Sequence, residues 1–411
     1  MRNKKNKFLQ NIGWMYGLKA VNYIFPLLLI PYLVRIIGID KYGLLTAAQA
    51  LMGYFSILVN YGFELTATRN IAMHADNLRV VQREYNEVMT CKICIAGLIL
   101  SLFLLGLYFY PIEKDLKILY GFGCLLVIGD LLFPSWLFQG MQTMKFVTIV
   151  NGIVKFLYLV FVVLFVHSET DYYYALLCQG GAWIVSGLLG GYLIKRTFGF
   201  WFRPVWSWKV IQGQLKSGFP IFIANACGNV YSKGALIFTN LIAGNEAAGY
   251  YALAEKICGT IASLVQPYVS ALYPALCQKY QESKITFYQY LHAFYKYMLA
   301  ADAVLIVALC ILAGVASWII QGKVDEQLVS LIRGMSLVTV GTIINTLLHP
   351  FILAAGKYKD VQKIYMVISF IFVVISIPLL HVFSYWGMVV AMIVVEYSIS
   401  CYYIYHLKPE N

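Results

Sequence analysis

Long apolar runs recur along the whole chain, separated by short polar or glycine-containing breaks. Ile93–Ile112 and Tyr172–Ile194 contain no charged residue, and each is long enough to cross a bilayer, which takes about 20 helical residues. Cutting the chain at the breaks predicts about twelve such spans. They cover residues 10–34, 43–67, 88–111, 117–138, 146–167, 172–194, 218–242, 249–273, 292–319, 327–354, 364–382 and 387–406.

Composition favours a protein embedded in a membrane. The 411 residues are 61% hydrophobic and 12% charged, whereas soluble domains have about 25% charged residues. The mean hydropathy is +0.72. The first apolar run lacks a small-residue cleavage site and is longer than the core of a signal peptide, so we expect a retained helix. The predicted fold class is an all-α polytopic membrane protein.

Lysine and arginine are distributed unevenly between the predicted loops. With the N-terminus inside, 21 of the 31 basic residues lie in cytoplasmic segments and 5 in outer loops, if Lys92 is counted with the cytoplasmic segment 68–92. Basic residues concentrate on the cytoplasmic side of membrane proteins, so both termini are expected there. This bias explains most of the net charge of +12. Nucleic acid is therefore not an expected partner, since it would need one contiguous basic face.

Sequence motifs give no sign of catalytic or metal chemistry. The nine cysteines are scattered mainly through apolar spans, and the pair Cys91 and Cys94 has no second pair or nearby histidine, as a zinc site would need. The six histidines lack ligand spacing, and there is no phosphate-binding glycine motif. We predict no catalytic residue, no metal and no cofactor.

A hairpin in the first half of the chain is repeated in the second half. Aligning Ile36–Asn60 with Ile242–Gln266 gives 7 identical pairs in 25. Three of these pairs are glycines, and we expect two of them to bracket the tight outer link of each hairpin: Gly38 with Gly244, and Gly43 with Gly249.

Both copies start from the cytoplasmic side, so the repeat is parallel. A parallel repeat predicts two six-helix lobes related by an axis along the membrane normal. The predicted organisation is an N-terminal lobe at 1–196, a cytoplasmic linker at 197–217 and a C-terminal lobe at 218–411.

Polar side chains inside the spans share helix faces. A charged side chain in the middle of the membrane costs ~2.5–3.5 kcal/mol, so most of the charges within spans should face protein or water. Helical spacing aligns Lys19 with Asn22, Gln49 with Asn60, and Asn225 and Asn229 with Lys233. Such cations and amides suit an anionic, sugar-bearing ligand in a cleft between the lobes. The substrate-binding candidates are Lys19, Asn22, Gln49, Asn60, Asn225, Asn229, Lys233 and Lys256.

The acids inside the spans leave two interpretations open. They are candidates for coupling transport to protons or sodium, or they pair with buried lysines and only hold helices together. The acids are Asp130, Glu255, Asp302 and Glu396; Lys155 and Arg333 are further basic residues within spans.

Three stretches add a family resemblance. They are FPLLLIPYLVRIIGIDKYGLLTAAQA (Phe25–Ala50), NYGFELTATRNIA (Asn60–Ala72) and WLFQGMQTMKF (Trp136–Phe146). The chain resembles the polysaccharide flippases of the multidrug/oligosaccharidyl-lipid/polysaccharide (MOP) exporter superfamily, and in particular the O-antigen (Wzx-type) transporters. The second half resembles them only in GNEAAGYYALAEK. The family cations are often arginines, whereas this chain has Lys19 and Lys256, which cannot form a bidentate clamp on a diphosphate.

The resemblance implies a function and a place. A flippase would move an undecaprenyl-diphosphate-linked oligosaccharide, such as an O-antigen repeat unit for lipopolysaccharide biosynthesis, across the bacterial inner membrane by alternating access. Polysaccharide polymerase and chain-length proteins are expected partners besides the bilayer. Outward movement of the diphosphate is favoured by the membrane potential, so a coupling ion is not required.

Two other functions stay open. A drug/cation antiporter of the same superfamily should present acids on its polar faces, where this chain has Glu255 alone. An integral-membrane glycan polymerase or acyltransferase would need a large outer loop or a catalytic His/Asp pair. His167 and Asp171 are close in sequence, but we interpret them as parts of a solvated turn.

Overall fold

The structure, a computed structural model, describes the backbone of residues 2–407 and most side chains from residue 25 onward. Within 25–407, the side chains not described are 27, 224, 267, 270–271, 274–275, 293, 296–297, 299–301 and 358–359. The described residues are almost entirely helical and contain no β-strand. The all-α fold class is therefore confirmed.

Fourteen α-helices follow one another along the described backbone. They are α1 (Arg2–Asn60), α2 (Phe63–Met73), α3 (Leu78–Phe109), α4 (Lys114–Leu132), α5 (Ser135–Gly140), α6 (Met144–Phe165), α7 (Tyr172–Phe198), α8 (Trp208–Phe238), α9 (Asn245–Ser263), α10 (Gln266–Glu282), α11 (Lys284–Gln321), α12 (Glu326–Ala354), α13 (Tyr358–Phe383) and α14 (Tyr385–His406).

The helices have the length and surface of membrane spans. Within the part of the chain that the structure describes, nine are long and apolar enough to cross a bilayer. On α11, Val304, Val307, Ile311 and Val315 recur at helical spacing and are each more than half exposed. An apolar stripe of this length is unfavourable in water and fits lipid. The chain is thus a polytopic membrane protein, and its arrangement as a twelve-helix repeat stays a prediction.

The chain forms two compact units. The first contains Met1–Gly38 and Ala47–Asn229, and the second contains Ile39–Thr46 and Val230–Asn411. The boundaries between them lie within α1, at both ends of Ile39–Thr46, and within α8. The predicted lobes at 1–196 and 218–411 stay a prediction.

The repeated hairpins share one backbone conformation at their first glycine. Gly38 has φ 74° and ψ 169°, and Gly244 has φ 92° and ψ 175°, a region that is essentially restricted to glycine. The expectation that each link extends to the second glycine is wrong, because Gly43 and Gly249 lie inside helices. The break is a single residue, and it divides α1 into two helical segments.

Gly43 and Gly249 have a packing role instead. They meet within the second unit, where a Cβ on Gly43 would overlap the carbonyl oxygen of Asn245. A Cβ on Gly249 would overlap the carbonyl oxygen of Ile39. The absence of side chains therefore lets the two repeated segments touch backbone to backbone.

The helical segment after Gly38 ends earlier than predicted. It stops at Asn60 rather than at residue 67, because Tyr61 (φ 45°) and Gly62 (φ 80°) leave the helical region. The Tyr61 ring stacks on Phe222 with 4.5 Å between ring centroids. This packing holds a break that the hydropathy pattern does not mark.

Buried polar side chains of α3 hold the segment between α7 and α8. Asn86 Oδ1 accepts a hydrogen bond from the backbone amide of Arg203 at 2.9 Å, and Thr90 Oγ1 accepts one from that of Val205 at 3.0 Å. These amides lie outside any helix, so they need acceptors from elsewhere. The two hydrogen bonds tie the connecting segment to the first unit.

Small residues let α4 and α7 pack along each other. On α7, Gly180 lies against Leu125 and Gly187 against Leu132. The two contacts are seven residues apart on both helices, so they fall on one face of each helix. Close approach of this kind is a main source of helix association within a bilayer.

We expect Gly43→Ala and Gly249→Ala each to destabilise the protein by about 1–3 kcal/mol, since the added methyl group meets backbone atoms that cannot turn away. The measurement is the thermal unfolding midpoint of the purified protein in detergent. Gly97→Ala on α3 is the matched control, because a Cβ there has no neighbour within 4 Å. Equal midpoints for Gly43→Ala and Gly97→Ala would contradict the packing described.

Candidate functional site

The predicted site residues fall into two groups, one in each compact unit. Lys19 and Asn22 belong to α1, but their side chains lie outside the described residues. Lys155 is partly buried on α6, and Arg333 is exposed on α12, where its Nε donates to the carbonyl oxygen of Cys310 at 3.4 Å. The remaining candidates are described below by unit.

In the first unit, Asn60 and Asp130 are hydrogen-bonded to each other. Asn60 Nδ2 donates to Asp130 Oδ2 at 3.0 Å, which joins the end of α1 to α4. Asn60 Oδ1 is buried and makes no hydrogen bond within the described structure. A buried acceptor without a partner is costly, so this oxygen is a place where a ligand donor or a water molecule would bind.

Lys92 lies beside this pair and was missed by sequence reasoning. It was counted as a cytoplasmic loop residue, which is wrong: it is 1% exposed, inside α3. It lies fourteen residues after Leu78, where α3 begins, or about 21 Å along the helix axis. Its ammonium group is attracted more strongly by the carboxylate of Asp130 than by that of Glu64.

A signal for Lys92 was present in the sequence. The apolar run VMTCKICIAG continues on both sides of the lysine, which is typical of a residue within a helix rather than at its end. Together, Asn60, Glu64, Lys92 and Asp130 form the first-unit cluster, with two carboxylates and one ammonium group.

Gln49 is engaged with another helix. Its Nε2 donates to Gln179 Oε1 of α7 at 2.7 Å. Because paired amides satisfy each other, this contact links α1 to α7 and leaves Gln49 less capacity for a ligand. Gln179 carries no charge and has no partner close in sequence, so nothing in the sequence pointed to it.

In the second unit, Lys233, Glu255 and Lys256 form a charge cluster, which we call the second-unit cluster. The Glu255 carboxylate attracts Lys233 more strongly than Lys256. The two ammonium groups repel each other. Both lysines are exposed, whereas Glu255 is partly buried. The cluster therefore presents net positive charge at its surface.

The two lysines lie at similar distances from the Gly244 break, on successive helices. Lys233 is eleven residues before Gly244, and Lys256 is twelve residues after it. At 1.5 Å per helical residue, both are about 17 Å along their helices from the break. Two exposed ammonium groups on successive helices suit an anionic ligand.

Asn225 and Asn229 lie on α8 with Lys233. Asn225 is exposed, and Asn229 donates its Nδ2 to the carbonyl oxygen of Asn225 at 2.8 Å. The side-chain amide of Asn225 thus remains at the surface of the same helix that carries Lys233.

The last two predicted acids lie in the interior of the second unit. Glu396 is 5% exposed, and its Oε2 accepts from Asn345 Nδ2 at 2.7 Å. Ser400 Oγ donates to Asn345 Oδ1 at 2.7 Å, which completes a network between α12 and α14. Asp302 on α11 is 4% exposed, and its Oδ2 makes no hydrogen bond within the described structure.

The arrangement offers amide, carboxylate and ammonium groups that can hold charged and polar ligands. Within the described part of the chain, His, Cys, Asp and Glu side chains form no group of three that could hold a metal ion. The described side chains place Asn60 with Asp130 and Lys233 with Glu255 and Lys256.

Comparison with known proteins identifies the family. Residues 8–279 match the family described as "Polysaccharide biosynthesis protein". The protein of Shigella dysenteriae named "Putative O-antigen transporter" is 27% identical over 410 residues, covering 97% of this chain and 100% of the relative. A protein of Escherichia coli (strain K12) with the same name is 30% identical over 278 residues, covering 67% of this chain and 66% of the relative.

Solved structures show the same fold at low sequence identity. An inward-facing multidrug resistance MATE family transporter of the MOP superfamily has a TM-score of 0.63 and 12% identity, with 93% of this chain and 97% of the other covered. The lipid II flippase MurJ in an inward closed conformation has a TM-score of 0.59 and 12% identity, covering 90% and 87%. The chain has the fold of these transporters and belongs to the polysaccharide biosynthesis protein family.

Proposed function

We propose that the chain is a flippase for a lipid-linked oligosaccharide, an O-antigen or similar repeat unit carried on undecaprenyl diphosphate. The glycan and diphosphate enter from the cytoplasmic side while the polyprenyl tail stays in lipid, and alternating access releases the headgroup outside. Relatives named as O-antigen transporters support this proposal. Those names also favour transport over a membrane glycan polymerase or acyltransferase.

The observation that carries the proposal is the exposed pair Lys233 and Lys256 in the second-unit cluster. A diphosphate brings negative charge that must be neutralised within the membrane, and the two ammonium groups would provide the neutralisation. Glu255 offsets only part of their charge. A drug/cation antiporter is disfavoured for the same reason, because cations flank the one acid at this site.

The amides have two roles in the proposed mechanism. Asn225 and Asn229 would bond sugar hydroxyls beside Lys233, and Lys19 and Asn22 are expected to contribute from α1. Gln49 and Asn60 already bind Gln179 and Asp130. They would therefore hold helices together, with Asn60 Oδ1 left to accept a bond from the substrate.

The membrane potential is the proposed driving force. With both termini in the cytoplasm of a bacterial cell, each negative charge moved outward across the inner membrane gains ~2.3 kcal/mol per 100 mV. Asp302 is the acid best placed to add coupling to protons or sodium, because one of its buried oxygens lacks a hydrogen bond. Glu396 and Asp130 accept hydrogen bonds in the structure, and Glu255 is under the electrostatic influence of two lysines.

Once outside, the repeat unit would be a substrate for chain growth. A polysaccharide polymerase and chain-length proteins are therefore proposed as partners on the outer side of the membrane.

Replacing Lys233 and Lys256 by alanine, singly and together, should reduce glycan export at equal expression. Each loss removes a charge-assisted contact, which corresponds to about a tenfold reduction or more. Surface glycan in a complemented deletion strain is the measurement. Lys323→Ala is the control, since that lysine is exposed and lies in the loop between α11 and α12. Normal export by the double variant would rule out the cationic site.

Imposing an inside-negative potential on vesicles, without a proton or sodium gradient, should accelerate translocation of the lipid-linked glycan. Asp302→Asn should leave this acceleration intact while removing any added response to a proton or sodium gradient. Glu396→Gln provides the comparison, because an amide can keep a bond to Asn345. A translocation rate that does not respond to potential would contradict the proposed driving force.

A further inference from the structure

A cavity of about 560 Å³ lies at one end of the second unit, away from the second-unit cluster. It is bounded by the end of α10, the first turns of α11, the end of α14 and the loop before α13. Its volume is within the ~300–1,000 Å³ that is usual for small-molecule sites. The proposed transport path makes no use of this cavity.

The cavity carries fixed positive charge. Lys284, the first residue of α11, places its Nζ 5.9 Å from the centre of the Tyr280 ring. Lys357 Nζ donates to the carbonyl oxygen of His406 at 2.9 Å, at the negative end of the α14 dipole. That contact holds the ammonium group in place at the cavity wall. His292, two turns after Lys284, adds a third basic side chain.

The lining residues that the structure describes include no carboxylate. Glu282 ends α10 and Asp360 lies in the first turn of α13, but neither lines the cavity. Among the lining residues that the structure describes, the charged side chains are therefore basic, a property that favours an anionic ligand.

Tyrosine and amide groups supply directional contacts. Tyr288, Tyr295 and Gln289 line the cavity beside Lys284 and can donate hydrogen bonds to phosphate oxygens. Leu291 and Leu407, each 2% exposed, close its base with apolar surface.

One side of the cavity opens onto the apolar exterior. Ile285 is 72% exposed and Ile404 is 40% exposed, and both line the cavity. An apolar chain could therefore leave the site along the outer surface without crossing a polar rim. A ligand that combines a phosphate with a hydrocarbon chain fits both parts of the lining.

We propose that this cavity binds a phosphate-bearing headgroup, that of an anionic phospholipid of the surrounding bilayer. The phosphate lies between Lys284 and Lys357, and the acyl chains pass Ile285 and Ile404. Basic pockets between helices on the cytoplasmic side of membranes are suited to such lipids. The proposal does not depend on the identity of the transported glycan.

The test uses the purified full-length chain and native mass spectrometry with added phosphatidylglycerol or phosphatidylcholine. Phosphatidylglycerol should bind more tightly. Lys284→Gln should weaken that preference about fivefold, and Lys284→Gln with Lys357→Gln should weaken it about 25-fold, at about 1 kcal/mol per cation. Lys279→Gln is the matched control: Lys279 is a neighbouring lysine that contacts the Tyr290 ring and does not line the cavity.

Two results would overturn the proposal. Equal binding of the two lipids, or an equal loss in Lys279→Gln, would show that the cavity does not recognise the headgroup. Binding of inorganic pyrophosphate that Lys284→Gln abolishes, without a preference between the lipids, would assign the site to a soluble phosphate. Lys284→Gln alone keeps the test valid if the double variant, which also loses the contact to α14, fails to fold.

Discussion

The cost of an unpaired polar group in an apolar surrounding is the constraint on which this structure depends. Helices satisfy their own backbone, so the remaining problem is the polar side chains within the spans. The described interior solves it by pairing helices: α1 with α4 through Asn60 and Asp130, and α12 with α14 through Asn345 and Glu396. Where pairing is incomplete, as at Asn60 Oδ1 and Asp302 Oδ2, the structure offers places for water, ions or substrate.

Close packing is the second requirement, because lipid provides little hydrophobic drive for helices to associate. Glycine has two roles in meeting this requirement. Gly38 and Gly244 adopt the backbone conformation of the turn, which is readily available only to glycine. Gly43 and Gly249 have no side chain, so the two repeated segments can touch. The two segments that the sequence repeats are therefore in direct contact within the second unit.

Hydropathy was sufficient to predict the helical membrane fold, since apolar runs of about 20 residues are typical of membrane-spanning helices. It was not sufficient to place the ends of helices. The break at Tyr61 depends on stacking with Phe222, a residue far away in the chain, and no local pattern marks it. The family assignment was also predictable, because several short stretches carry it.

The site was only partly predictable, for a related reason. Spacing along one helix identified Lys233 and the two asparagines on α8, but the partners of polar residues come from other helices. Asn60 and Asp130 are 70 residues apart, and Gln49 and Gln179 are 130 apart. Lys92 was misplaced because charge counting treats a lysine near the predicted start of a span, here residue 88, as a loop residue, whereas α3 begins at Leu78. Its burial depends on Asp130 and Glu64, which no periodicity connects to it.

In the proposed function, this chain carries a complete lipid-linked repeat unit across the membrane. The most direct measurement is extraction of lipids from a deletion strain, combined with an impermeant lectin applied to spheroplasts. We expect that one complete lipid-linked repeat unit accumulates and stays inaccessible to the lectin until the gene is restored. A repeat unit that accumulates in lectin-accessible form, or one that lacks sugars, would contradict translocation as the function.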